Sequence, residues 1–131
     1  MIFFIQERGK IKMNLMHVTI SVKDLEESIK FYRDLIGLPV KRSFKSGESE
    51  LAFLGDGETE IELICNQKHT DVSFGTDISL GFEVESLDDA LAMLKQNNVA
   101  FGDVIQPNPS VKFAFATDPN GLRIQFVEYA K

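Results

Sequence analysis

A strand followed by a helix occurs twice in this chain, sixty-two residues apart, and no other feature narrows the fold as much. In the first copy Val18, Ile20 and Val22 alternate with His17, Thr19 and Ser21. That is the period of a strand with one apolar and one polar face. Asp24 and Glu27 follow at the spacing of a helix N-terminal capping box. Leu25, Ile29, Tyr32, Leu35 and Ile36 then form a helical stripe, and Gly37 supplies a stop. The second copy repeats the device: Leu80, Phe82 and Val84 alternate, Ser86 caps, Leu87, Ala90, Leu91 and Leu94 make the stripe, and Asn97-Asn98 ends it. A repeat of this length means a doubled supersecondary unit. Each strand's apolar face must meet its helix, so His17 and its counterpart Ser79 turn to the opposite face.

The remaining segments complete each unit as βαβββ. After Leu38-Pro39, strands are expected over Val40 to Phe44, Leu51 to Leu54 and Glu60 to Cys65, with a tight hairpin at Gly55-Asp56-Gly57-Glu58. Asn66 to Asp77 is polar and reads as a linker. In the second unit a short strand is expected within Ala100 to Ile105, then a loop at Gln106-Pro107-Asn108-Pro109 that cannot pair. Strands Lys112 to Thr117 and Leu122 to Glu128 flank a turn at Asp118-Pro119-Asn120-Gly121, with the residue order of type I. The expected fold is therefore α+β: two tandem βαβββ modules forming a curved mixed sheet with an open concave face and helices outside. The boundaries that follow are an N-terminal extension over 1–13 and one domain over 14–131, with module one near 14–66, a linker near 67–77 and module two near 78–128. The apolar start, Met1 to Ile5, is too short for a signal-peptide core; Met13 is an alternative start, and the first twelve residues suit an edge strand or a segment packed on a neighbouring chain.

Alternation then sorts the polar side chains. Ile61, Leu63 and Cys65 match Ile124, Phe126 and Glu128 and go under the helices, which places Glu62 and Gln125 with His17 and Ser79 on the concave side. A half-buried carboxylate needs a proton, a metal or a hydrogen-bonding partner. Pairing back from the first turn puts Leu51 and Phe53 beside Glu62. Pairing back from the second puts Lys112, Ala114 and Ala116 beside Gln125, with Phe113 and Phe115 under the helix. Lys112 and Arg123 offer charge to an anionic ligand or are simply solvated. An apolar wall with a few polar groups is the usual make-up of a small-molecule site. Cys65, on the helix side, reads as a buried inert thiol, and His69 in the linker as an exposed side chain.

Composition removes other classes. A formal charge of −6 and the lack of a basic cluster argue against a nucleic-acid partner. No apolar run reaches the length of a membrane span. A single cysteine makes no internal disulfide and suits a reducing cytoplasm.

Three stretches carry a family resemblance: His17-Val18-Thr19-Ile20-Ser21-Val22-Lys23-Asp24-Leu25, Phe31-Tyr32 with Gly37-Leu38-Pro39-Val40, and Asp118-Pro119-Asn120-Gly121 with Leu122-Arg123-Ile124-Gln125-Phe126. With them the chain resembles, over roughly residues 14 to 128, the vicinal oxygen chelate superfamily of glyoxalase I, methylmalonyl-CoA epimerase, extradiol dioxygenases, fosfomycin-resistance and bleomycin-binding proteins. The resemblance implies four metal-ligand positions on the concave face, carried here by His17, Glu62, Ser79 and Gln125. His17 and Glu62 fit the family's pattern, Gln125 is a weak third ligand, and Ser79 stands where a histidine is usual. A divalent metal (Zn, Ni, Mn or Fe) held by His17, Glu62 and Gln125 is one implied state, and a metal-free cup is the other. The implied activity is that of a lyase, isomerase or dioxygenase on a small oxygen-bearing molecule, with conventional glyoxalase I turnover expected to be absent or very low. A metal-free protein that binds and sequesters an antibiotic-type molecule is the alternative. The family habit also implies a homodimer. Ligand contacts are expected from His17, Leu51, Phe53, Glu62, Ser79, Lys112 and Gln125.

Overall fold

A computed structural model of the chain describes residues 11–131. The expectation for the N-terminal edge strand falls largely outside these residues; from Ile11 to Met16 the chain has no regular structure. Strand β1 (His17–Ser21) leads into helix α1, which begins as Leu25–Ile29 and continues over Lys30–Leu35. Strands β2 (Val40–Ser46), β3 (Ser49–Leu54) and β4 (Glu60–Asn66) close the first unit. The second unit comprises β5 (Ser79–Glu83), helix α2 (Leu87–Gln96), β6 (Ile105–Asn108), β7 (Val111–Thr117) and β8 (Arg123–Tyr129). Each unit is a four-stranded mixed sheet, in the orders β1-β4-β3-β2 and β5-β8-β7-β6. The first strand of each runs parallel to the last, and the other pairs are antiparallel. This is the doubled βαβββ arrangement that the repeat requires.

The caps behave as their residues dictate. Asp24 accepts from the Glu27 amide at 3.0 Å and Ser86 from the Asp89 amide at 3.1 Å, which satisfies donors that a helix start leaves free. Beneath the helices Val22, Leu54, Leu63, Leu87, Leu94, Leu122 and Ile124 are fully buried. Helix α1 departs from regular geometry after its first turn. The Ile36 amide reaches back to the Phe31 carbonyl and the Leu38 amide to the Tyr32 carbonyl, wider than the i→i−4 ladder. The widening buries both Phe31 and Tyr32, with Ser28, where a regular stripe would have buried Leu25, Ile29, Tyr32, Leu35 and Ile36 evenly.

Tyr32 donates to Asp118 at 2.7 Å, Asn120 donates to Ser28 at 3.0 Å, and the Lys23 amide donates to Asn120 at 2.8 Å. The turn of unit two is thereby latched onto unit one, through two buried bonds to its helix and a part-buried one to the Lys23 amide. Asp118 also accepts from the amides of Asn120 and Leu122, so the buried carboxylate is fully answered. Burial, the Asp118 charge and its hydrogen bond, in that order, push the Tyr32 hydroxyl far above its ordinary pKa.

Three local expectations are corrected. The segment expected as an unpaired loop at Gln106–Pro109 contributes an edge strand, with Ile105 opposite Phe113 and Asn108 opposite Val111. Pro107 is tolerated there because an edge strand leaves one side without ladder partners. The expected strand between Ala100 and Ile105 reduces to a single bridge from Phe101 to Ala116 and one amide from Gly102 to Phe115. The hairpin after β3 is looser than a two-residue turn, with Leu54 opposite Ile61 where a tight Asp56-Gly57 turn would have set it opposite Thr59.

Candidate functional site on the strand faces

The parallel pairing of β1 with β4 sets His17 opposite Glu60 and Thr19 opposite Glu62. All four side chains share the face turned away from α1. The side chain of Glu62 is 13% exposed, and its Oε1 accepts from the Thr19 hydroxyl at 2.5 Å and lies 3.5 Å from His17 Nε2. Alternation and register together produce this cluster. Thr19 was legible as a member of the face, but its bond to Glu62 needed the parallel register, which no local pattern encodes.

Phe53, opposite Glu62 on β3, closes one side. The His17 ring meets it edge-on at 5.7 Å, and Phe44 stacks on it at 6.2 Å. Leu51 lies on the same face, opposite Ile64. Arg42 lies over the Phe53 ring, 4.0 Å from its centre, and pairs with Glu60 at 3.1 Å. Leu51 and Phe53 are thus placed as the sequence indicates, whereas Glu60 and Arg42 were missed. The signal for Arg42 lies in tertiary pairing alone, since it reaches Phe53 across β2–β3.

In unit two the register corrects the sequence reading. Thr117 lies opposite Arg123 and Phe115 opposite Gln125. Phe113 and Phe115 therefore share the face of Gln125, edge to face at 5.8 Å. Lys112 goes to the other side, 3.8 Å from Glu128, whose second oxygen accepts from the Leu87 amide at the start of α2. Lys112, Ala114 and Ala116 are not concave-face residues. The Asp118–Gly121 turn does form, with the Gly121 amide bonding Asp118 and Gly121 at φ +89°. One further residue, Leu122, is spent before pairing resumes, and one residue is enough to reverse every side chain of a strand.

Ser79 is exposed beside Arg123, and Gln125 sits beside Gly81. A Cβ at Gly81 would stand 3.4 Å from Gln125 Oε1. Arg123 lies 4.1 Å over the centre of Phe115 and donates to the Thr76 carbonyl at 3.3 Å. Among the described residues no hydrogen bond or ion pair joins His17 or Glu62 to Ser79 or Gln125. Each unit presents its own half of the expected set. Cys65 is buried and His69 exposed.

The donor set decides what it can hold. Among the described residues no three His, Cys, Asp or Glu side chains come together as a metal site. His17 and Glu62 are two ligands where a divalent site takes three or four. Ser79 and Gln125 would add only neutral oxygens. His17 Nδ1 is buried without a partner, so the imidazole lacks the outer hydrogen bond that steadies a metal-bound histidine. The described residues of one chain do not fit a resident divalent metal. A cleft of about 330 Å³ also opens between the units, walled by Val18, Leu54, Ile61, Leu80 and Phe82. Val18, Leu54 and Ile61 alternate with the polar cluster, and neither His17 nor Glu62 lines the cleft, although Glu60 does.

Among curated proteins the chain is 35% identical to the lactoylglutathione lyase of Haemophilus influenzae, covering 88% of this chain and 93% of that protein. It is 33% identical to the Escherichia coli O157:H7 lactoylglutathione lyase, with the same coverage. Among solved structures, the trypanothione-dependent glyoxalase I of Leishmania major superposes with a TM-score of 0.78 at 27% identity, covering 89% of this chain and 87% of that one. TnmS3, an antibiotic-binding protein from Streptomyces sp. CB03234, shares the fold with a TM-score of 0.75 at 17% identity, covering 93% and 100%. No helix among the described residues is long and apolar enough to cross a membrane. The family model of the glyoxalase/bleomycin resistance protein/dioxygenase superfamily matches residues 14–126, and the chain belongs to that superfamily.

Proposed function

We propose that this superfamily member acts on a small oxygen-bearing molecule at its concave strand faces, with Glu62 as the group that moves a proton. The observation that carries this is the Thr19–Glu62–His17 cluster: a mostly buried carboxylate held by a hydroxyl at 2.5 Å and facing an imidazole at 3.5 Å. A carboxylate so held, beside an apolar wall, is positioned to take a proton from a carbon next to a carbonyl or hydroxyl oxygen. His17 steadies the charge and Phe53 keeps the ring in place. The lactoylglutathione lyases among the relatives support a lyase-like reaction. Unit two supplies no second carboxylate, because Gln125 stands where one would be needed and an amide cannot accept that proton. Turnover of the glutathione–methylglyoxal hemithioacetal by tag-free protein is therefore expected to be very low.

A second reading is binding without turnover. Phe113 and Phe115 present aromatic area on the face of neutral Gln125, and Phe44 and Phe53 present it on unit one, which suits sequestering an aromatic molecule. Exposed Ile78 and Ile105 support a homodimer that covers them, and light scattering at micromolar concentration should give twice the chain mass.

Calorimetric titration with S-lactoylglutathione tests the site. Glu62→Leu should abolish binding, and His17→Ala should weaken it by about tenfold or more. Thermal stability of Glu62→Leu should stay within about 1 kcal/mol of the parent, since the freed Thr19 hydroxyl is exposed to water. Equal affinity in both variants would place the site elsewhere.

A further inference from the structure

An arginine lies over a phenylalanine twice in this molecule, Arg42 over Phe53 at 4.0 Å and Arg123 over Phe115 at 4.1 Å. The two rings hold equivalent places, Phe53 opposite Glu62 and Phe115 opposite Gln125. The arginines do not: Arg42 reaches in from β2, and Arg123 stands on β8 itself. They also differ in what answers their charge. Arg42 is paired with Glu60 at 3.1 Å. Arg123 has the Thr76 carbonyl at 3.3 Å and, among the described residues, no carboxylate within 4.0 Å. Its cross-strand neighbours Ser79 and Thr117 are neutral, as is Gln125 on the same face, and Phe113 and Val127 beside them are apolar.

Asp77, next in the chain to Thr76, accepts from the Thr76 hydroxyl and makes no ion pair with Arg123. In a chain of net charge −6, a half-buried guanidinium unpaired with a carboxylate among the described residues has donors to spare. A guanidinium carries five N–H donors in a rigid fork that matches a carboxylate. Stacking on Phe115 fixes the plane of that fork in advance, which lowers the ordering cost of binding. We propose that Arg123 reads a carboxylate on the ligand, whose apolar part lies along Phe113 and Phe115. The ligand class is an amphiphilic carboxylate. Ser79, across the strand from Arg123, offers a hydroxyl to the same group, and Gln125 an amide. This deepens the reading of the concave faces as a small-molecule site and rests on it.

Phenylacetate and its neutral isostere phenylacetamide are the probes, titrated into full-length protein labelled with ¹⁵N-arginine while the arginine Nε–H signals are followed. Phenylacetate should saturate and shift the signal that disappears in Arg123→Met. Phenylacetamide should bind at least about tenfold more weakly, the worth of a charge-assisted hydrogen bond. Arg123→Met should lose phenylacetate by a similar factor, Arg123→Lys by less, and Arg33→Met, on the exposed side of α1, not at all. Thermal melts of the variants guard against a folding defect, and Arg123→Lys keeps the test informative if Arg123→Met melts early. Equal binding of acid and amide, or undiminished phenylacetate binding in Arg123→Met, overturns the inference. So does the absence of saturable phenylacetate binding, which would leave the Glu62 reading standing on its own lactoylglutathione titration.

Discussion

The two units of this chain share one topology and divide the chemistry between them. Unit one gathers the titratable groups: His17, Glu60 and Glu62 share one strand face with Arg42 and Thr19. Unit two presents Ser79, Gln125 and Arg123 in equivalent surroundings, neutral but for one guanidinium. Both units keep what the backbone needs, the alternation and the caps, because those decide whether a sheet and helix can pack at all. The open faces carry no such demand and differ. The helices differ in the same sense. Helix α1 is tied by Tyr32 and Ser28 to the turn of the opposite unit, whereas α2 is tied at its start to Glu128 of its own sheet. One helix thus joins the halves, and the other only covers its own.

That asymmetry can be broken where it is strongest. Asp118→Ala removes a buried carboxylate that accepts from Tyr32 and two backbone amides. It should cost about 3–5 kcal/mol in urea unfolding, the range for breaking a buried charged network. A loss below about 1 kcal/mol would mean that the latch does not hold the units together.

Alkaline titration probes the same contact with less force. The Tyr32 pKa is raised in the fold by burial first, then by Asp118. The unfolded chain therefore releases this proton first, near pH 10. Stability from this group is fully present below that pH and is lost as pH rises toward the folded-state value, by about 1.4 kcal/mol per pH unit. Tyr32→Phe should lack this slope, and parallel curves for parent and variant would contradict the assignment.

The turn that sets unit two's register is a milder target. Gly121 has φ +89° and open space where a Cβ would stand. Gly121→Ala should cost about 1 kcal/mol from backbone strain alone, seen as a lower urea midpoint at unchanged slope. The smallest effect is expected at α2. Glu128→Gln keeps an acceptor for the Leu87 amide but removes its charge from the helix start, for about 0.5 kcal/mol. A larger loss would sharpen the comparison, showing that α2 depends on this one anchor as α1 depends on its latch.

Much of this molecule was decided by local pattern. The alternation around His17 and Glu62, the caps at Asp24 and Ser86, and the stops at Gly37 and Asn98 each depend on a few neighbouring residues. Short-range sterics and hydrogen bonding suffice to specify them, and with the repeat they determine both units and the face that holds His17, Glu62, Ser79 and Gln125. The two hairpins show where that stops. Unit one's turn departs from a tight hairpin by two residues, so Leu51 and Phe53 kept the face read from sequence. Unit two's turn departs by one, so Lys112 went to the helix side and Phe113 and Phe115 came to the open face. Strand side chains have a period of two, so an even error is invisible and an odd one reverses the surface. What selects the odd length is Asp118, held by Tyr32 from across the molecule while it caps Asn120 and Leu122. That bond joins residues far apart in the chain, and no window of local sequence contains both ends of it. The face of unit two, and the place of Arg123 over Phe115, were decided by the tertiary structure for that reason.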